Sequence, residues 1–591
     1  MRILKVTLLS LFGLVALLLV AVVTITATID PNDYKADIES AVAQNTNLKL
    51  YINGELGWSF IPLGVDINKV ALEHLDGQPF TKVNQLTAQV GLLSLLKFNP
   101  QVHRVILDGL EVTLEKNEQG EGNWENIVAK SDSQQPNSTP SETPADSQQS
   151  SSQSDTSTPE SISKDFQLEV EEVAITNTTI NYNDKQTNQS ASLEGFSLLA
   201  NNISLGNEFP LSITFNASNS APKLDIRADI NANITVGSDL KKFTIKQLKS
   251  SYTLAGEPFG GKVVPASLNS TTIIADLTED SASLDQVVLS LANLSLSTTL
   301  DIEGLTKGPQ LSGSIKVADF SLQKLLGSMG QPAIKTADSS VLNKVGFSTD
   351  ISGGAEAINL SNIGINLDDT QYTGSLNYRA EGQFVGAKIN GTTLNVDRYL
   401  PPEEPQSVQA NSDAKSSSAG SASSTADNQP ESPLLPLETV RSLNLDISFI
   451  QQKLIAKNLK LNDITLLMKA GDGVITVSEA SGKLYEGNFD INAIIDATSD
   501  TPKWTLNKKI NNIQIMPLLQ DFQNIEIISG GINANASIKT AGNTVSTLKK
   551  AIKGKADFNF DKGALHGFNL TKLTCEGVAL INRDTITKSD W

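Results

Sequence analysis

Cysteine is nearly missing from this chain: Cys575 stands alone among 591 residues. One thiol cannot close an intramolecular disulfide, so stability has to come from burial and strand pairing. Histidine is almost as scarce, with only His74, His103 and His566, none at ligand-like spacing from a Cys, Asp or Glu. This scarcity argues against His-based catalysis and a His-rich metal site. Aromatics are 5% of the chain, and beyond Lys5 no dense basic cluster relieves a formal net charge of -19. That balance speaks against nucleic acid and against an anionic membrane surface as partners. There is no phosphate-binding loop and no nucleophile elbow. The adjacent carboxylates Asp368 and Asp369 would point to opposite faces of a strand, which disfavours joint chemistry. The expectation is a protein with no catalytic residues, no cofactor, no metal and no enzymatic activity.

What is present begins with an uncharged run, Val6–Ile29. At about 1.5 Å per residue a helix of this length spans a hydrocarbon core of roughly 30 Å. Arg2 and Lys5 precede the run and Asp30, Asp33 and Asp37 follow it. The positive-inside rule then keeps the N-terminus cytoplasmic and exports everything from residue 30 onward. A cleaved signal peptide would have a shorter apolar region and a small-x-small site, for which Thr26-Ala27-Thr28-Ile29-Asp30 is a poor match. Residues 1–29 are therefore expected to be a cytoplasmic stub and a single-pass transmembrane anchor.

Two stretches, residues 130–163 and 403–432, are rich in Ser, Thr, Gln, Asn, Ala and Pro and almost free of large apolar side chains. Neither can bury enough surface to offset chain entropy, so both are expected to be disordered linkers. Three ordered segments remain: residues 30–129, 164–402 and 433–591. The first should open with a helix, with Asp30 as N-cap, Pro31 at the first position and Tyr34, Ile38, Ala41 and Val42 at helical spacing. It should end near Asn45-Thr46-Asn47. A second helix is expected around Leu92–Leu96, with strands dominating to the end.

Alternation is cleanest in Leu224, Ile226, Ala228, Ile230, Ala232, Ile234 and Val236, where Asp225, Arg227, Asp229, Asn231, Asn233 and Thr235 intervene. One strand face is apolar and the other wet. Similar runs occur at Leu289 and Leu291, at Leu294 and Leu296, at Ile358 and Leu360, and at Ile363, Ile365 and Leu367. Such strands, joined by short turns, predict antiparallel sheet. Periodicity leaves open whether the apolar faces meet in sandwiches or line one long curved groove.

Several local motifs then share one order. They are Val105 to Glu115 (VILDGLEVTLE) followed by Gly120, Gly122, Asn123 and Trp124; Val170 to Asp184; Leu394 to Pro401 (LNVDRYLP); Ala480 to Gly487 (ASGKLYEG); and Gly554 to Leu570. With Ile29 to Lys35 and the apolar run, this succession resembles the AsmA family over nearly the whole chain. Asn47, near where a Gly-Arg pair is usual, and Asn569, in place of an acid, depart from the family pattern.

The resemblance implies a single N-terminal transmembrane helix followed by a long, curved, antiparallel β-groove, taco-like, with a few short helices. It also implies anchorage in the bacterial inner membrane, a large periplasmic part, and kinship with TamB-type bridge-like lipid-transfer proteins. The expected partners are phospholipids, and the expected role is phospholipid transfer or lipid homeostasis between inner and outer membranes. Leu224, Ile226, Ile230, Ile234 and Val236 would line the groove. The alternative is an assembly factor for outer-membrane proteins, whose sheet edges pair with client strands. In the proteins it resembles further strands follow the Gly563 to Leu570 element, and this together with the lone Cys575 predicts a natural chain longer than 591 residues.

Overall fold

The computed structural model describes residues 30–60, 63–90, 102–125, 127, 169–402 and 431–566. The expected anchor at residues 6–29, the second helix around Leu92–Leu96, the stretch 130–163, the stretch 403–432 apart from its last two residues, Asn569 and Cys575 lie outside them. Among the described residues no helix is long and apolar enough to cross a membrane. These residues are mainly β, with 26 strands in mixed sheet and a few short helices.

The first helix starts where the sequence places it. Asp30 accepts the N–H of Asn32 at 2.9 Å, opening a 3-10 turn at Pro31–Tyr34 that runs into α1, Lys35–Asn45. The Asn32 and Glu39 side chains tie this segment to β1 (Leu48–Ile52) and β2 (Leu56–Phe60), bonding the backbone of Leu56 and Ile52.

The chain divides into two compact units, Met1–Ala292 with Ser328–Gln331, and Asn293–Gly327 with Pro332–Trp591. In the first, β3 (Leu63–His74), β4 (Pro79–Val90), β5 (Val102–Asp108) and β6 (Glu111–Lys116) precede a long meander. Its strands are β7 (Glu169–Asp184), β8 (Gln189–Ser204), β9 (Glu208–Ser220), β10 (Lys223–Val236), β11 (Lys242–Gly256), β12 (Val263–Asp276) and β13 (Ser281–Leu291). From β7 to β13 each strand pairs antiparallel with the next.

The second unit carries β14 (Leu294–Glu303), β15 (Gln310–Phe320), β16 (Val345–Gly354), β17 (Ala357–Leu367), β18 (Thr370–Arg379) and β19 (Phe384–Asn395), with α2 (Leu322–Ser328) after β15. Then come α3 (Leu437–Ser442), β20 (Asn444–Ala456), β21 (Leu459–Gly471), β22 (Val474–Leu484), β23 (Gly487–Asp496) and β24 (Lys503–Gln514). Helix α4 (Ile515–Gln523), β25 (Ile528–Ala541), α5 (Val545–Ala551) and β26 (Lys553–Leu565) follow among the described residues.

The expectation of purely antiparallel sheet is corrected at two places. β7 pairs parallel with β5 and β6, and β20 pairs parallel with β19, Phe384 opposite Asn444 and Asn395 opposite Ile455. Tight hairpin turns force neighbours to run antiparallel, whereas a long connection lets the chain return to the end it started from. Both parallel steps fall where a low-complexity stretch separates the partners.

The alternation breaks phase where a strand bulges. In β17 the apolar positions switch from Ile358 and Leu360 to Ile363 and Ile365 because Asn362 adopts φ +50° and the register skips there. Asn177 in β7, Gln247 in β11, Asp463 in β21 and Asn512 in β24 mark the same device. An extra residue leaves backbone groups outside the ladder, and buried hydroxyls take some of them. Thr349 Oγ1 donates to the Ser361 carbonyl at 3.0 Å, and Ser270 Oγ to the Asp285 carbonyl at 2.8 Å.

Candidate functional site

Strand β10 puts Leu224, Ile226, Ile230, Ile234 and Val236 on one face with Ala228 and Ala232, while Asp225, Arg227, Asp229 and Asn231 are exposed on the other. The two alanines are buried and the five larger side chains half-buried. Antiparallel register carries this face across the meander. One row runs Leu198, Ile213, Ile230, Ser250, Leu268, Leu289, each opposite the next on adjacent strands. Its polar member is neutralised locally: Ser250, 5% exposed, donates its hydroxyl to the Leu268 carbonyl at 2.5 Å. Leu289 at the end of the row stays 46% exposed.

The second unit repeats the arrangement on its own strands. A row from β20 to β25 runs Ile447, Met468, Val477, Ala493, Leu506, Ile538. In each unit, then, strand pairing assembles apolar side chains that are far apart in sequence into a surface several strands wide. Among the buried hydrophobic residues described, most are small, and Phe209 is the one aromatic. The larger apolar side chains of these rows are left partly open instead of sealed in a core.

The motifs singled out in the sequence prove to be fasteners around this sheet. Asp397 accepts the N–H groups of Lys457 and Asn458, at 2.6 and 2.8 Å, in the turn between β20 and β21. Arg398 bonds Asp338 at 2.8 Å and Asp369 at 3.0 Å, and the Tyr399 hydroxyl donates to Asp368 at 2.9 Å. The Ser340 hydroxyl and amide, with Arg398, hold the Asp338 carboxyl at about 2. Burial and the adjacent Asp368 push the Tyr399 hydroxyl up to about 12. Burial works against ionising Asp368, yet the amides of Leu342, Asn343 and Lys344 and the Tyr399 hydroxyl keep it below its ordinary value. Asp368 and Asp369 are thus engaged by separate partners and do not converge on a common point.

The Leu-Tyr-x-Gly element builds a hairpin turn in which Tyr485 and Glu486 both take positive φ. Tyr485 donates to Asp521 of α4 at 2.6 Å, and Lys460 reaches the same carboxylate at 2.9 Å. Gly487 is required by close approach, since a Cβ there would sit 2.4 Å from the Asn511 carbonyl oxygen. Asn123 uses its side chain as a strand would, accepting from the Glu115 N–H and donating to the Thr113 carbonyl, and Trp124 leans on Tyr182. Of the histidines, His103 meets Glu171, His566 bonds Ser529 and His74 packs edge-on against Phe80. Among the described residues no cluster of His, Cys, Asp or Glu could hold a metal ion.

A family model covers residues 1–590, from end to end. The chain belongs to the AsmA family. No curated protein and no solved structure gives a significant match. Of the AsmA-like elements, the Asp-Arg-Tyr and Leu-Tyr-x-Gly runs owe their chemistry to partners distant in the chain, Asp338 and Asp521. At Asn47, where the chain departs from the family pattern, the backbone N–H donates to the Ile127 carbonyl at 2.7 Å. The feature that sequence reading missed is cationic: nine lysines against four acids over residues 503–562, spread too thinly in the chain to read as a cluster.

Proposed function

We propose that this AsmA-family protein carries phospholipid along its apolar faces, serving lipid transfer or lipid homeostasis between the inner and outer membranes of a bacterium. Residues 6–29 would anchor it in the inner membrane, with the remainder in the periplasm, where the apolar strands line a groove. One observation supports the reading above the others: large apolar side chains align across many strands and stay half open. Each methylene kept from water is worth about 0.8 kcal/mol, so an acyl chain crossing an aqueous space needs such a surface. The wet face, with Asp225, Arg227 and Asp229, keeps the carrier dispersed in water.

A photo-crosslinking amino acid placed at Ile230 and, separately, at Asn231 tests this in cells. Phospholipid adducts from position 230 and none from 231 are expected. Adducts to unfolded outer-membrane barrel proteins would favour the assembly-factor reading, and equal lipid labelling from both positions would overturn the assignment of the faces.

A further inference from the structure

One lysine of the second unit stands on the wrong side of its strand. Directly opposed residues share a face, so register assigns the apolar face of β23 to β26 position by position. Next to the row that carries Ala493, Leu506 and Ile538 runs a row of Ile491, Lys508, Ala536 and Ala556, and beyond it one of Phe489, Ile510, Ala534 and Phe558. Over residues 489–495, 504–510, 534–540 and 554–558 this face holds a single charged side chain, Lys508. It is exposed, with Ile491 and Ala536 across from it and Leu506 and Ile510 on either side along β24. The alanines at 536 and 556 leave room beside the ammonium that larger side chains would fill.

No acid of the sheet answers this charge. The other two lysines of β24 lie on the wet face, Lys503 opposite Asp496 and Lys509 opposite Asp490, and Asp557 is on that face too, opposite Asn535. Lys508 has no ion pair among the described residues. Two polar side chains at the end of the apolar face are satisfied by contrast: Trp504 Nε1 donates to the Gly542 carbonyl at 3.0 Å and the Thr540 hydroxyl to the Leu548 carbonyl of α5 at 2.6 Å. While water reaches the Lys508 ammonium its position costs little. Once acyl chains cover the face it loses that water, and an unpaired charge in apolar surroundings is expensive. The compensating anion then has to arrive with the cargo.

We infer that Lys508 is a phosphate site on the apolar face of the second unit, donating to the headgroup phosphate of a carried phospholipid whose acyl chains lie on the flanking rows. A phosphate takes charge-assisted hydrogen bonds from an ammonium, and the aliphatic groups of Ile491, Leu506 and Ile510 match hydrocarbon. A neutral lipid without phosphate would leave the charge buried and unpaired. The inference deepens the lipid-carrying reading and rests on it.

The test holds the full chain in amphipol and titrates it by calorimetry with two soluble lipids of equal acyl length, dioctanoylphosphatidylglycerol and dioctanoylglycerol, the second lacking phosphate. Lys508→Gln should weaken the tightest phosphatidylglycerol site about tenfold and leave dioctanoylglycerol binding unchanged, which also shows that the variant is folded. Lys508→Arg should retain the site, and Lys509→Gln, on the wet face, should bind both lipids as the native chain does. Native-strength phosphatidylglycerol binding by Lys508→Gln, equal weakening by Lys509→Gln, or equal loss for both lipids would each overturn the phosphate site. A carboxylate can use the same ammonium, so myristate is titrated as well. Myristate binding that is tighter than that of the phosphatidylglycerol and lost in Lys508→Gln overturns phosphate in favour of a fatty acid. Lipid adducts at position 230 are read in parallel. Their presence with no effect of Lys508→Gln sinks the phosphate site alone, whereas no adducts and no binding of either dioctanoyl lipid sink the carrier reading and this inference with it.

Discussion

At the scale of single residues, side-chain direction on β10 makes a sharp prediction. Ile230→Ser removes apolar contact from a row of neighbours and should cost about 1–2 kcal/mol, whereas Asn231→Ser, on the exposed side, should stay within about 0.5 kcal/mol. Urea denaturation of the two variants compares them directly. The faces were legible in advance because a strand displays every second residue to the same side. The fasteners were legible only in part. Asp397, Arg398 and Tyr399 could be picked out as a run, but nothing near them in the chain names Asp338 or Asp368, which the fold supplies. Tyr399→Phe should cost about 1 kcal/mol, since Asp368 keeps its three amides and loses one donor. Asp338 is one of several carboxylates that contribute to the acid dependence. Its folded value of about 2 lies below its ordinary 3.8, so its contribution is complete above pH 3.8 and fades as pH falls toward 2. Arg398→Gln should shift the onset of acid unfolding to higher pH, as followed by circular dichroism between pH 5 and 2.

At the scale of elements, the bulges decide where each apolar run changes phase. The switch from Ile358 and Leu360 to Ile363 and Ile365 is visible in the sequence as two alternations out of step. What the sequence hides is the hydroxyl that completes the bulge, because Thr349 lies on the neighbouring strand. Thr349→Val keeps the shape and strands the Ser361 carbonyl, a loss expected to cost about 1–3 kcal/mol, whereas a purely steric role for Thr349 would leave stability unchanged. Equilibrium unfolding distinguishes the two. The parallel steps at β7 and β20 were equally hidden, and for a different reason. A strand covered on one face alternates in the same way whether its neighbour runs with it or against it, so periodicity carries no information on direction.

At the scale of the whole molecule, strands pack chiefly on their sequence neighbours within each unit, as repeats do in a solenoid. Unfolding should therefore depart from a single two-state transition, and Ile363→Ala, at a buried position of β17, should lower the melting of the second unit by about 2–3 kcal/mol with the first unit's transition unmoved. Differential scanning calorimetry reads both. The parallel pairing of β19 with β20 also sets an order of assembly. Every hairpin can close as soon as its second strand is available, but Phe384 must wait for Asn444 across the whole intervening connection. Closing so long a loop costs about 2–3 kcal/mol more than closing a two-residue turn. Folding is thus divided into blocks, with β14 to β19 able to zip before β20 joins. Removing residues 407–428, about half of that connection, should speed the late phase roughly threefold in stopped-flow refolding. A chain threaded through a membrane from its N-terminus would meet these pauses in sequence, each giving the strands already delivered time to pair before the next block arrives.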